Sequence, residues 1–282
     1  MQQSIGIREI IWQAYQERWA LGQFNMTNLE TLQAVVLGAN QTQTPVIVGV
    51  SMGTLRHVGL NYLGGLVQGA RAEAQVPLFF HLDHGPDFPT IATFIELGFD
   101  SVMIDTSKYP LEENIQRVRE VAAYAHARGV CVEAQVGETW DEETGEEVRV
   151  KTDPAQVQAF VQEAEIDYLA ISFGNTPGKL KGQADVDLTL LREVADVAKI
   201  PIVLHGGSSI PEAAVSAAIQ AGAAKINIDT VIRKAVTATL TSIYGSDAVP
   251  ADPRKVFQLA RQSAQTVVIE KMRLFNSLGR AG

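Results

Sequence analysis

The 282-residue sequence holds a single cysteine, Cys131, which excludes an intrachain disulfide framework and fits a reducing compartment. Positive charge is scarce as well. With 23 Lys and Arg against 32 Asp and Glu, the formal charge is −9, and no basic stripe exists to track a nucleic-acid backbone. An anionic small molecule would have to be held by local dipoles rather than by the overall field. No run of eighteen apolar residues occurs, and the opening residues Met1 to Gly6 lack the basic-then-apolar order of an export signal. The expectation is a cytoplasmic protein that neither spans a membrane nor is secreted. Glycine is missing where a dinucleotide-binding turn would need it, since Phe24-Asn25-Met26-Thr27-Asn28 follows the first apolar run.

What is present is alternation. Eight short apolar runs read as strands: Leu21 to Asn25, Val46 to Val50, Leu78 to Leu82, Ser101 to Ile104, Val130 to Ala134, Tyr168 to Ile171, Ile202 to Leu204 and Ala224 to Ile228. Each is followed by a helical pattern, several opening on a capping residue or proline and several stopping at Gly98, Gly129 or Gly222. Strands separated by helices run parallel and are buried on both faces, and eight such units close into a (β/α)8 barrel; a doubly wound sheet is the runner-up. Residues 1–282 read as a single TIM-barrel domain with extra helices at both ends, near Ile7 to Glu17 and Pro253 to Phe275, the C-terminal extension running from about 252 to 278. The apolar face of that last helix reads equally as an oligomer contact or as a cap on the barrel floor. The acidic stretch between Gly137 and Asp153 follows the fifth strand, where a mobile lid or a plain solvated hairpin would sit.

In such a barrel the chemistry gathers where strands end. That rule collects Asn25, Ser51, Asp83, His84, Asp105, Glu133, Gln135, Gly174, Asn175, His205, Asn227 and Asp229, and with His81 it places three of the five histidines in one ring. His81-Leu82-Asp83-His84 leaves a buried strand, and His205 leaves another, so two imidazoles can converge on a divalent ion while Asp83 takes a proton from a substrate hydroxyl. A hydrogen-bonded pair closing the strand end is the plainer alternative. Leu204-His205-Gly206-Gly207-Ser208-Ser209 places unhindered N–H groups ahead of a helix that opens at Pro211, and Asn227-Ile228-Asp229-Thr230 adds donors beside it. That suits a phosphorylated sugar fragment, against a simple glycine turn with a helix cap.

These residues resemble the class II, zinc-dependent fructose/tagatose-bisphosphate aldolases. The resemblance rests on Phe24-Asn25-x-x-Asn28-Leu29-Glu30, His81-Leu82-Asp83-His84-Gly85, Met103-Ile104-Asp105, Ser172-Phe173-Gly174-Asn175, His205-Gly206-Gly207-Ser208 and Asn227-Ile228-Asp229-Thr230. It implies a lyase that reversibly cleaves a ketose phosphate to dihydroxyacetone phosphate and an aldehyde, through a metal-stabilised enediolate, in a homodimer or homotetramer. Asp83 would be the acid/base at the C4 hydroxyl, His84 and His205 zinc ligands, and Glu142 or Glu143 the group handling the C3 proton. Asn25, Ser51, Gly178, Gly206, Gly207, Ser208, Asn227, Asp229 and Thr230 would bind the substrate, several of them at its phosphate.

Two departures bear on the metal. The family pattern Gly-Asn-x-His-Gly, which supplies a third zinc-binding histidine, reads Gly174-Asn175-Thr176-Pro177-Gly178 here, and its Glu-x-Glu reads Glu133-Ala134-Gln135. Proline offers no side-chain ligand and an amide is a poor one, so the implied zinc site is weakened, or empty at neutral pH without substrate. His81, Asp105, Glu138 or substrate oxygens are the candidates for the third place. Two other readings follow: a phosphosugar-binding barrel without metal-dependent cleavage, and a metal-free isomerase of sugar phosphates.

Overall fold

The computed structural model describes residues 5–137, 151–172 and 186–281. Its eight strands are β1 (Leu21–Asn25), β2 (Val46–Ser51), β3 (Leu78–Gly85), β4 (Ser101–Ile104), β5 (Cys131–Val136), β6 (Tyr168–Ile171), β7 (Ile202–Leu204) and β8 (Ala223–Ile228). All neighbours pair in parallel and β8 returns to β1, so the sheet is a closed barrel. Closure removes the doubly wound alternative.

Among the described residues the helices, in chain order, are α1 (Ile7–Glu17), α2 (Leu29–Thr42), α3 (Met52–Val58), α4 (Leu60–Glu73), α5 (Phe88–Glu96), α6 (Leu111–His126), α7 (Pro154–Ala164), α8 (Leu188–Ala198), α9 (Glu212–Ala221), α10 (Thr230–Tyr244) and α11 (Pro253–Leu274). Local chemistry sets many of their starts. Asn28, Ser51, Asp87, Asp153, Asp187 and Asp252 each accept a backbone N–H from the first turn of the helix that follows, a contact worth about 1 kcal/mol. Helix α3 is not anticipated from the apolar pattern. It begins directly on the last residue of β2, with Ser51 serving both as strand end and as cap.

The barrel floor is capped by the first helix, not the last. Ile7, Ile10, Ile11 and Ala14 of α1 pack with Trp19, Leu21, Ile47 and Phe79, so α1 closes the barrel floor. Helix α11 lies against the barrel's flank instead, burying Val256, Ala260, Ala264, Val268 and Met272 among α2, α10 and β1. Those five side chains are covered within the chain, while Phe257 and Leu259 of the same helix are exposed.

Inside the barrel the period of two along each strand stacks side chains in layers. The lowest is apolar, with Leu21, Ile47 and Phe79. Two residues further along the strands come Gln23, His81 and Glu133, and above them Asn25, Ser51, Asp83 and Gln135. Gly49 occupies the β2 position of the middle layer because a Cβ there would stand 1.9 Å from Asn25 Oδ1 and 2.6 Å from Gln23 Nε2. The barrel thus turns from apolar to polar toward the C-terminal ends of its strands.

Candidate active site

The first problem is how Asp83 and His84, adjacent on one strand, can serve one site when alternation sends neighbours to opposite faces. The ladder between β3 and β4 answers it. His81 pairs with Ser101 and Leu82 with Val102, but Gly85 pairs with Ile104, so one extra residue is accommodated at Asp83-His84. His84 takes a left-handed conformation, φ 54°, which costs a non-glycine residue about 1–2 kcal/mol. That bulge turns its ring into the mouth beside Asp83.

The two imidazoles meet face to edge, ring centroids 4.8 Å apart, with His84 Nε2 lying 3.0 Å from His205 Nδ1. Their outer nitrogens are both held by carboxylates: His84 Nδ1 is 2.6 Å from Asp105 Oδ2, and His205 Nε2 is 2.7 Å from Glu133 Oε1. Asp83 completes the group, with one ligand atom from each of Asp83, His84 and His205 lying within 4.8 Å of the others. Tetrahedral zinc with Zn–N bonds near 2.0–2.1 Å separates two nitrogen ligands by about 3.3 Å. The pair stands a few tenths of an ångström from that spacing, and the donor set fits the metal.

Asp83 is 7% exposed. Asn25 Nδ2 donates to its Oδ2 at 2.7 Å, and Asn227 Nδ2 approaches its Oδ1 at 3.3 Å. Burial alone would raise its pKa, but the field of protonated His84, with Lys225 adding to it, outweighs that and brings it down to about 2. Asp83 is an ionised acceptor at neutral pH. Burial works against charge on His84 too, yet its bond to Asp105 and the nearby carboxylates lift it to about 10. Without a metal, His84 is an imidazolium that donates to His205 Nδ1. His81 behaves differently: burial, reinforced by the charge of Lys225, lowers it to about 3.

Beneath the histidines is a group that the strand-end rule only half reveals. Lys225, fully buried on β8, donates to Glu133 Oε2 and to Asn227 Oδ1, each at 2.8 Å. The spacing of Lys225 and Asn227 across an otherwise apolar strand is the available signal for Lys225. Lysine is so seldom buried that the signal is easily passed over. Glu133 is in the ring by position; its bond to His205 is visible only in three dimensions.

The proposed phosphate turn sits between β7 and α9. Gly206 has φ 66°, the Gly207 N–H reaches Asn227 O at 3.1 Å, and a Cβ on Gly207 would meet Ile226 Cγ2 at 2.6 Å. Ser208 Oγ accepts from the N–H groups of Asp229 and Val231 at 3.3 and 3.4 Å, which brings the turn to the N-terminus of α10. Asp229 precedes Thr230, the first residue of that helix, and pairs with Arg233 at 2.8 Å. Ser51 is in register with Asp83 on the adjoining strand, its hydroxyl accepting the Thr54 N–H.

Of the candidates for a third ligand, Asp105 is the anchor of His84. His81 Nδ1 is 2.7 Å from Ser101 Oγ one layer below, and His81 stands outside the metal cluster. Gln135 Nε2 donates to Gly137 O at 2.9 Å. Glu138, Glu142, Glu143, Gly174, Asn175, Pro177 and Gly178 lie outside the described residues. So does most of the stretch expected to be a lid. A cavity of about 1260 Å³ opens at the opposite end of the barrel and is lined by Ile10, Arg71, Phe79, Asp100 and Arg128. It has no part of this cluster, so chemistry rather than volume marks the site.

A closed parallel barrel carrying a histidine pair and a carboxylate at its C-terminal mouth is the arrangement of a metal-dependent barrel enzyme. The comparisons make that specific. The model of the class-II fructose-bisphosphate aldolases matches residues 6–280, and the chain belongs to that family. A fructose-bisphosphate aldolase of Geobacillus stearothermophilus is 38% identical over 98% of each chain. A probable fructose-bisphosphate aldolase of Bacillus subtilis is 36% identical over 98% of this chain and 99% of its own. The crystal structure of the YdjI aldolase from Escherichia coli K12 superposes with a TM-score of 0.88 at 28% identity, covering 99% of this chain and all of that one. Among the described residues no helix is long and apolar enough to cross a membrane.

Proposed function

We propose that the protein is a zinc-dependent aldehyde-lyase that reversibly cleaves a ketose phosphate into dihydroxyacetone phosphate and an aldehyde. The observation that carries this is the pair of ring nitrogens, His84 Nε2 and His205 Nδ1, 3.0 Å apart beside ionised Asp83, with the far side of each ring on a carboxylate. His84 and His205 would hold the ion. Zinc, when bound, supplies the Lewis acidity that polarises the substrate ketone and tolerates the negative charge left by carbon–carbon cleavage.

The protein's own groups do the rest. Asp83, kept ionised, takes the C4 hydroxyl proton as the C3–C4 bond opens and returns it in the reverse direction. Asn25 and Asn227 hold its two oxygens in place. Gly206 and Ser208, with Thr230 at the start of α10, offer backbone N–H groups and hydroxyls to a phosphate, which the positive end of the helix dipole favours, while Gly207 and Asp229, whose N–H groups are held by Asn227 O and Ser208 Oγ, shape the turn around it. Ser51, next to Asp83, faces the same ligand. The C3 proton falls to a glutamate of the segment after β5, for which Glu142 is the candidate.

The test is elemental analysis of protein purified without chelator, together with cleavage of ketose bisphosphates with and without added zinc. Turnover that requires zinc and is lost to chelator is expected. Binding of dihydroxyacetone phosphate with no cleavage at any zinc concentration would replace the lyase with a binding barrel.

A further inference from the structure

Resting on the reading of His205 as a metal ligand, we propose that Lys225 and Glu133 form a buried positioning pair that sets which His205 nitrogen faces the ion. A fully buried ion pair is weak evidence for stability, because well-packed apolar residues in its place are often as good or better. Both side chains here are 0% exposed, and what the pair does besides cancel its own charge can be traced atom by atom.

The ammonium of Lys225 has only protons to offer. It takes Glu133 Oε2 and Asn227 Oδ1 at 2.8 Å each, so both partners must present oxygen toward it. With Oε2 engaged, Glu133 turns Oε1 to His205 Nε2 at 2.7 Å, and an acceptor there requires that Nε2 carry the ring proton. The lone pair is then left on Nδ1, the atom facing His84. Asn227 Nδ2 lies 3.4 Å from the same Nε2 and would favour the opposite tautomer, but its contact is longer and uncharged, so the carboxylate prevails. Lys225 also settles the amide of Asn227: with Oδ1 bound, Nδ2 is the atom left to face Asp83 Oδ1. One buried ammonium thus orients a metal ligand and a partner of the acid/base. Carboxylates behind metal-bound histidines are known to tune affinity by about 10–100-fold; the feature here is a lysine that dictates which way the carboxylate and amide turn.

The test exploits that demand for oxygen. In Glu133→Gln the amide must still give its oxygen to Lys225, so it turns its NH2 to His205 and forces the ring proton onto Nδ1. Two-bond proton–nitrogen spectra of histidine-labelled, metal-free full-length protein in mildly alkaline buffer, recorded in a His84→Ala background so that no His84 N–H faces His205 Nδ1, should show His205 as the Nε2–H tautomer with Glu133 and Nδ1–H with Glu133→Gln. Zinc affinity, measured by competition with a chromophoric chelator, should fall at least about tenfold. Adding Lys225→Met frees the amide to turn its oxygen back, so the double variant should recover the Nε2–H tautomer and most of the affinity. Loss of packing alone would not reverse on a second substitution. An Nδ1–H tautomer with Glu133 in place, or a double variant no better than Glu133→Gln, overturns the proposal, and the spectrum with Glu133 and Lys225 intact in the His84→Ala background decides even if the Glu133 variant fails to fold. Since the tautomer is read without turnover, a protein lacking aldolase activity would refute the functional reading and leave this result to stand or fall separately.

Discussion

Replacing Asp83 by alanine separates the acid/base from everything else the site does. In the assigned roles Asp83 handles only the C4 hydroxyl proton, whereas the proton at C3 of dihydroxyacetone phosphate belongs to another group. Loss of a positioned general base costs about 10²–10⁴ in rate, or about 2.7–5.4 kcal/mol at 1.36 kcal/mol per tenfold. The structural cost is smaller. Alanine leaves the amides of Asn25 and Asn227 without their acceptor, about 1–3 kcal/mol if nothing replaces it and less at a mouth that water reaches. Asp83→Ala is therefore expected to fold, to lose cleavage by at least about a hundredfold in kcat, and to keep KM within a few-fold. Exchange of the C3 proton of dihydroxyacetone phosphate with solvent deuterium, followed by NMR, should persist near the wild-type rate. Cleavage and exchange falling in parallel would show that Asp83 serves both protons or the metal itself, and near-normal cleavage would remove it from the chemistry.

Gly207→Ala should raise the dissociation constant for dihydroxyacetone phosphate and cost about 1–3 kcal/mol of stability, because the new methyl meets Ile226 Cγ2 at 2.6 Å and Asn227 O at 3.0 Å. Titration calorimetry and thermal melts read the two effects, and unchanged affinity would take this turn out of the phosphate site. Zinc must displace the proton that His84 carries at a pKa raised to about 10, so binding near neutral pH should release about one proton and strengthen about tenfold per pH unit up to that value. Calorimetry in buffers of different ionisation enthalpy counts the proton; a count of zero would mean that His84 is not displaced. Pro177→His combined with Gln135→Glu should raise zinc affinity at least about tenfold by adding two ligand groups, and an unaltered chelator-competition curve would refute the correspondence of that loop with the family pattern.

The barrel is legible in the sequence because parallel strands buried on both faces are continuous apolar runs, and β1, β4, β6 and β7 begin and end where those runs do. Helix α3 is hidden because no turn residue separates it from β2. At the site, Asp83, His84 and His205 are visible as titratable residues at strand ends, but a sequence gives no sign of the bulge that brings neighbours Asp83 and His84 to one side of the sheet. That depends on the pairing of β3 with β4. The roles of Asp105 and Glu133 are hidden for the same reason: their partners are 21 and 72 residues away. Treating Asp105 and His81 as spare ligands follows from residue type alone, whereas geometry makes one an anchor and sets the other a layer too deep.

That distinction bears on how the proposed ion would be held by His84 and His205. Metal affinity depends on the number of ligands and also on the freedom each loses on binding. His84 is fixed by a bulge and a carboxylate. His205 is fixed by a carboxylate that is itself pinned by a buried lysine, and the gap between the two facing nitrogens is already close to that of a tetrahedral pair. Most of the ordering cost has been met during folding, where it is offset by the barrel's packing. A site organised in this way can tolerate a poorer ligand count. The same rigidity makes it sensitive to changes at Glu133 and Lys225, side chains that need never touch either metal or substrate.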